Sequence, residues 1–239
     1  MLTTVLSREW FCPNRSRTAD HGLTVTALGV VRWWRMARPR EFDEEAVLSA
    51  AREAFWVGGY EGTSMDDLTA ATGLGKGSLY GAFGTKHDVF SRVFDDYCRH
   101  IVTIVEGALD GPPETAMDRL ATYLRGLARR TADDADRRGC LLAKGTAELA
   151  NRDPVIAARA SDTYIALEAV LARTLSQARR HGDLATVATV PALARTVLAT
   201  MRGIEALGKA GASRQSLREV ADTTIALLAP AQRRATART

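Results

Sequence analysis

The sequence is poor in the residues that build covalent or metal-held frameworks. Its three cysteines, Cys12, Cys98 and Cys140, are odd in number and widely scattered. They define neither a disulfide scaffold nor a metal spacing, and fit a reducing cytoplasm. The four histidines are equally dispersed. No metal site and no cofactor are therefore expected. No Ser/His/Asp, Cys/His or paired-acid arrangement stands at usable spacing, which argues against an enzyme. No stretch approaches the roughly 18 uninterrupted apolar residues of a membrane span, so no membrane partner is expected. Charge of one sign is also missing from most of the chain. The net charge is +4, but residues 1–39 alone carry six arginines against Glu9 and Asp20. The remainder is balanced, so any argument from charge must rest on local placement.

What is present favours helix. Apolar residues make up 46% of 239, alanine and leucine dominate, and β-branched runs are few. That length suits one larger domain and a small one. Residues 1–35 stand apart. They hold Trp10, Trp33 and Trp34 and show no helical period. Their apolar patch, Leu23–Val31, is short and is followed by Arg32-Trp33-Trp34-Arg35 instead of a small-residue cleavage site, which speaks against a secretory leader. The expectation is that residues 1–37 form a disordered or mis-assigned extension. Met36 would be the true start, with a basic arm running into the first helix.

Beyond that arm the punctuation is dense. Asp43 suits a helix N-cap with Glu44 and Glu45 in the first turn. Val47, Ala50, Ala51, Ala54 and Phe55 recur on one helical face, and Gly58-Gly59 ends it. Ser64-Met65-Asp66-Asp67 reads as a capping box. It opens a short helix with Met65, Leu68 and Ala71 on one face and Gly73 at its end. A third helix follows to Phe83. Leu79 and Phe83 face inward, leaving Lys76, Gly77, Ser78, Tyr80 and Gly81 outward. Thr85-Lys86-His87-Asp88 is a second capping box, starting a long helix with Val89, Phe90, Val93, Phe94, Tyr97, Ile101 and Ile104 inward. Two short helices joined by a glycine turn make a helix-turn-helix, a unit that lays its second helix in the major groove of DNA. Gly73-Leu74-Gly75-Lys76-Gly77-Ser78 lacks the spacing of a phosphate loop and follows a helix, not a strand.

At these residues the chain resembles the TetR/AcrR family of transcriptional regulators. The pattern comprises Ala54-Phe55, Gly59-Tyr60, Thr63-Ser64, Leu68, Ala71, Gly73, Lys76-Gly77-Ser78-Leu79-Tyr80, Phe83 and Lys86. The resemblance implies an all-α fold, with a helix-turn-helix domain over 38–100, a helical effector-binding and dimerisation domain over 101–230, and a frayed tail over 231–239. It implies that Thr63 and Ser64 meet phosphate and that Lys76, Gly77, Ser78 and Tyr80 lie on the groove. Lys86 would hold a phosphate, and Arg38 and Arg40 would reach the backbone or minor groove. Each also has a plainer reading: Tyr80 as half-buried packing, Lys76 and Lys86 as solvated lysines, Thr63 and Ser64 as caps. Gly75 and Gly81-Ala82 depart from the family's usual larger or polar residues, which leaves base reading mostly to Lys76, Ser78 and Tyr80.

The rest of the chain keeps a helical period. Pro112-Pro113, Asp153-Pro154, Pro191 and Ser213 mark helix starts, and Gly182 marks an end. By the same resemblance, these helices enclose a pocket for an unknown small-molecule effector, with Leu120, Tyr123, Leu127, Cys140, Lys144, Tyr164, Leu167 and Met201 as wall candidates. Plain core packing is the alternative for each. Lys144 is expected to pair with Glu148 at i+4, or else to meet an anionic effector. Cys140 opens an apolar run, a poor setting for a reactive thiol. The last two helices resemble the pair through which the family forms homodimers, with Val197, Leu198, Ile204, Leu217, Val220 and Leu228 as interface candidates and Ala199, Gly203 and Gly208 allowing close approach. The function implied is a cytoplasmic, ligand-responsive repressor that binds a palindromic double-stranded DNA operator as a dimer. The alternative is a co-regulator or activator of the same build without an effector.

Overall fold

The computed structural model describes residues 42–184 and 188–229. The expectations for residues 1–37, Met36, Arg38, Arg40 and the 231–239 tail lie outside them. Among the described residues the architecture is all α. The helices are α1 (Glu44–Gly58), α2 (Met65–Thr72), α3 (Lys76–Phe83), α4 (Lys86–Leu109), α5 (Ala116–Asp133), α6 (Leu141–Leu149), α7 (Pro154–His181), α8 (Val190–Lys209) and α9 (Arg214–Leu228). A 3-10 turn at Pro113–Thr115 precedes α5.

The caps are the ones the sequence marks. Asp43 accepts hydrogen bonds from the Glu45 and Ala46 amides at the start of α1. Ser64 with Asp67, and Thr85 with Asp88, close reciprocal capping boxes at α2 and α4. Gly73 turns the chain from α2 to α3 at φ 70°, a left-handed conformation that glycine adopts with least strain.

α1, α2 and α3 form a small head packed on the start of α4. Phe55, Leu68, Leu79 and Phe90 are fully buried there. Ala71 is exposed, so the inward face of α2 is narrower than its spacing suggests. Position 100, the expected domain boundary, falls inside α4. The first half of α4 packs on α1, and the same helix packs on α5, α6 and α7 of the larger helical body. One uninterrupted rod of 24 residues thus belongs to both parts, about 36 Å of it at 1.5 Å per residue.

In the body, α5 packs on α8 and α9, and α7 packs on α4 and α8. The apolar stripes of α8 and α9 point into this core. Val197, Ile204 and Leu217 are wholly buried within the single chain, and Leu198 and Leu228 nearly so. Val220 is partly buried against the same core. Val197, Leu198, Ile204, Leu217 and Leu228 thus already have partners in their own subunit, which speaks against them as a dimer face, while Val220 keeps part of its surface open. Gly208 likewise packs on Thr131 of α5. The outward side of α8 is lined instead by Ala192, Thr196, Ala199, Gly203 and Leu207.

Candidate nucleic-acid interface

α3 offers one face to solvent and the other to the core. Leu79 and Phe83 anchor it from within, while Lys76, Gly77, Ser78, Tyr80 and Gly81 are exposed. Tyr80 leaves 48% of its surface free, so this tyrosine is half-buried, as its packing reading has it, and still offers the other half to a partner. A Cβ placed on Gly75, Gly77 or Gly81 would meet nothing within 4 Å. The chain's own packing therefore does not demand glycine at these places. They leave the exposed side of α3 bare of side chains at these positions.

The flanking residues divide. Ser64 is exposed at the start of α2, where its hydroxyl donates to Asp67 at 2.7 Å and accepts from the Asp67 amide at 3.1 Å. Thr63 is turned inward. It is 2% exposed, and its hydroxyl donates to the Gly59 carbonyl at 2.7 Å. A phosphate contact by the Thr63 side chain is thereby corrected: the hydroxyl holds the α1–α2 turn. Lys86 is half-buried. Its ammonium donates to the Tyr60 carbonyl at 3.0 Å and sits 4.2 Å from the centre of the Tyr60 ring. It is tied to the head in the free protein and is not the solvated lysine of the plainer reading. Lys76 is paired with Asp66 of α2 at 2.6 Å. Both capping-box acids, Asp67 and Asp88, have their carboxyls held below the usual range by the hydrogen bonds from Ser64 and Thr85.

Behind the head, α6 and its flanks grip the end of α1. The Lys144 ammonium donates to the Trp56 carbonyl and, at 3.0 Å, to that of Val57. Glu148 accepts from the Tyr60 amide at 2.5 Å and the Glu61 amide at 3.1 Å. The expected Lys144–Glu148 pair is thus replaced by two separate bonds to the head backbone. Burial, with Lys209 nearby, pushes the Lys144 ammonium down to about 8. Gly59 carries φ 79°, and a Cβ there would strike the Glu148 carboxylate; the clamp needs glycine at that position. Trp56 donates to the Gly139 carbonyl at 2.7 Å, Arg138 pairs with Glu53 at 2.8 Å, and Arg152 pairs with Glu61. His87 and Asp153 meet at 2.5 Å. A cleft of about 450 Å³ lies at this junction, lined by Tyr60, Glu61, His87, Leu149, Arg152 and Pro154 among others.

The pocket candidates have a different surrounding from the one expected. Leu120, Tyr123, Leu127, Cys140, Leu167 and Met201 are all buried in the continuous core, and Tyr164 packs against it half-buried. Lys144 does not line a pocket with them, since its ammonium is committed to α1. Sequence reasoning missed the polar cluster among these residues. Arg202 approaches the Cys140 sulfur at 2.6 Å and Glu205 at 3.1 Å, with the Tyr97 hydroxyl 3.7 Å from the same sulfur. Burial pushes both the Cys140 thiol and the Glu205 carboxyl up. The thiol is therefore held in its protonated, less reactive form. The sequence signal for the cluster was a charged pair at i+3, Arg202 and Glu205, amid the apolar positions of α8.

A helix-turn-helix with its second helix bared and braced from behind defines a DNA-binding protein. Comparison with known proteins agrees. Residues 47–93 match the family model for bacterial regulatory proteins of the tetR family. Residues 116–226 match the model for the tetracyclin repressor-like C-terminal domain. The HTH-type transcriptional repressor ComR of Escherichia coli (strain K12) is 29% identical over 190 residues, 80% of this chain and 90% of that protein. The HTH-type transcriptional repressor BdcR of the same organism is 31% identical over 153 residues, 64% of this chain and 74% of that protein. A solved complex of the TetR family transcriptional regulator CifR, a cysteine mutant, with 26-base-pair double-strand operator DNA is 30% identical. It covers 79% of this chain and 98% of that one, with a TM-score of 0.66. The chain belongs to the tetR family of bacterial regulatory proteins. It is a DNA-binding transcriptional regulator, not an enzyme.

Proposed function

We propose that the protein is a homodimeric repressor that binds a palindromic operator and releases it when a small molecule occupies the helical body. The observation that carries this reading is the geometry of α3, whose Lys76, Ser78 and Tyr80 face solvent while Leu79 and Phe83 fix the helix from inside. The named repressor relatives and the operator complex of CifR support it. Two copies of α3 would enter successive major grooves about 34–36 Å apart, or a multiple of that. The subunits would meet through the outward side of α8, with Ala199 and Gly203, and the outward side of α9, with Thr223 and Leu227. No helix among the described residues is long and apolar enough to cross a membrane. A regulator of this kind works in the cytoplasm, where its DNA is.

Release requires an effector that binds the two dimer shapes with different affinity. The route proposed is α6. Its N-cap, Cys140, touches the buried Arg202 cluster, and its length, about 13 Å at 1.5 Å per residue, ends at the Glu148 clamp on the head. A ligand that repositions the cluster would move α6 and turn the head. The test is an electrophoretic shift with the DNA upstream of the protein's own gene, using wild type and Tyr80→Ala. Wild type is expected to shift that DNA in preference to a scrambled duplex, and Tyr80→Ala to lose the preference. Equal, salt-insensitive binding by both proteins to both duplexes would refute the assignment.

A further inference from the structure

Lys76 is the first residue of α3, and Gly75 before it provides no side-chain cap. Free backbone amides and an ammonium therefore coincide at this helix end, a strongly positive point on the face assigned to DNA. Asp66, in the first turn of α2, reaches across and takes that ammonium at 2.6 Å. The pairing holds the Lys76 proton more tightly than usual, chiefly through the Asp66 hydrogen bond.

The fold has little need of this carboxylate. Ser64 and Asp67 already complete the cap of α2. The Asp66 and Lys76 side chains are 74% and 57% exposed, and pairs so open to water add little stability. Yet a carboxylate on a face that meets phosphate repels its target. Resting on the DNA-binding reading above, we propose that Asp66 is a specificity-determining residue: it occupies Lys76 so that DNA of arbitrary sequence gains little from the lysine. On random duplex, exchanging Asp66 for a phosphate replaces one anion by another. At the operator, a fixed acceptor on a base edge or phosphate takes the ammonium in a geometry that Asp66 cannot match.

The experiment uses the full-length protein and a 30-base-pair duplex of arbitrary sequence, titrated by fluorescence anisotropy between about 20 and 200 mM salt. Wild type, Asp66→Asn, Lys76→Met and the double variant are compared, with thermal melts to confirm folding. Asp66→Asn is expected to bind the random duplex about two- to five-fold more tightly, the range of an exposed ion pair. Its plot of log affinity against log salt is expected to steepen by about 0.9, the signature of one more neutralised phosphate. In the Lys76→Met background the same change is expected to have little effect. Two results overturn the proposal: unchanged or weaker random-duplex binding by Asp66→Asn, or an equal gain with Lys76 absent, which would mean that Asp66 merely repels DNA. Failure of every protein, wild type included, to bind any duplex at the lowest salt would instead remove the DNA-binding reading itself.

Discussion

The carboxylate of Glu148 accepts the backbone amide of Tyr60 at 2.5 Å, and that of Glu61 at 3.1 Å. Two donors in the turn after α1 thus find their acceptor on α6, 88 and 87 residues away in sequence. Hydrogen bonds to a charged acceptor are among the stronger ones, and leaving the donors unmet carries a further penalty. Glu148→Ala is expected to lower the unfolding free energy by roughly 1–3 kcal/mol, read from the urea midpoint. A midpoint equal to wild type would mean that water replaces the clamp at no cost.

Lys144 predicts a pH dependence. Its ammonium titrates at about 8 in the folded chain, against about 10.4 for an unfolded lysine. Between those values the unfolded state binds more protons, so stability rises with pH there. Wild type is expected to gain on Lys144→Met as pH climbs from about 8 to 10, by no more than about 1 kcal/mol because the ammonium is partly open to water. Below that window the difference between the two proteins should be flat. Chemical denaturation at pH 7, 8.5 and 9.5 checks it, and a wild type that loses ground over that range would contradict the assignment.

The outward side of α8 predicts separable effects on folding and assembly. A Cβ on Gly203 meets nothing within 4 Å in the single chain. Gly203→Glu is therefore expected to keep the helical content while shifting sedimentation from dimer to monomer. Val197→Ala, by contrast, empties a fully buried position and is expected to cost on the order of 2 kcal/mol with the dimer retained in the folded fraction. A dimeric Gly203→Glu would place the subunit contact elsewhere.

Thr63 and Ser64 are adjacent but should behave differently. Thr63→Val keeps the shape and removes a buried hydroxyl that bonds the Gly59 carbonyl. Its expected cost is about 1 kcal/mol of stability, with DNA affinity at fixed salt unchanged. Weaker DNA binding by folded Thr63→Val at the same salt would restore a phosphate contact by that hydroxyl.

The head was legible in the sequence because its signals are local. Ser64 with Asp67, Thr85 with Asp88, and Gly73 act within three or four residues, and structure follows them directly. The body was legible only as helices. The spacing of Val197, Ile204 and Leu217 marks a buried side, but burial against one's own subunit and against a second copy leave the same periodic trace. Lys144 and Glu148 are four apart, and that spacing suggests a pair. Each is instead drawn to backbone groups of α1 and its following turn that local sequence cannot display. The cluster of Arg202 and Glu205 on α8, Tyr97 on α4 and Cys140 before α6 joins two helices and a loop end, so no window of sequence contains it.

The empty space beside Gly77 and Gly81 has an evolutionary corollary. Both sit on the exposed side of α3, where a methyl group or longer chain clashes with nothing in the protein. Helix propensity also favours almost any ordinary residue over glycine in such a segment, by up to about 1 kcal/mol. The face proposed to meet DNA therefore keeps two blank positions at which single codon changes could write new base contacts while the scaffold stays intact. Drift of this regulator toward other target sequences should proceed through those two sites before it touches Leu79 or Phe83.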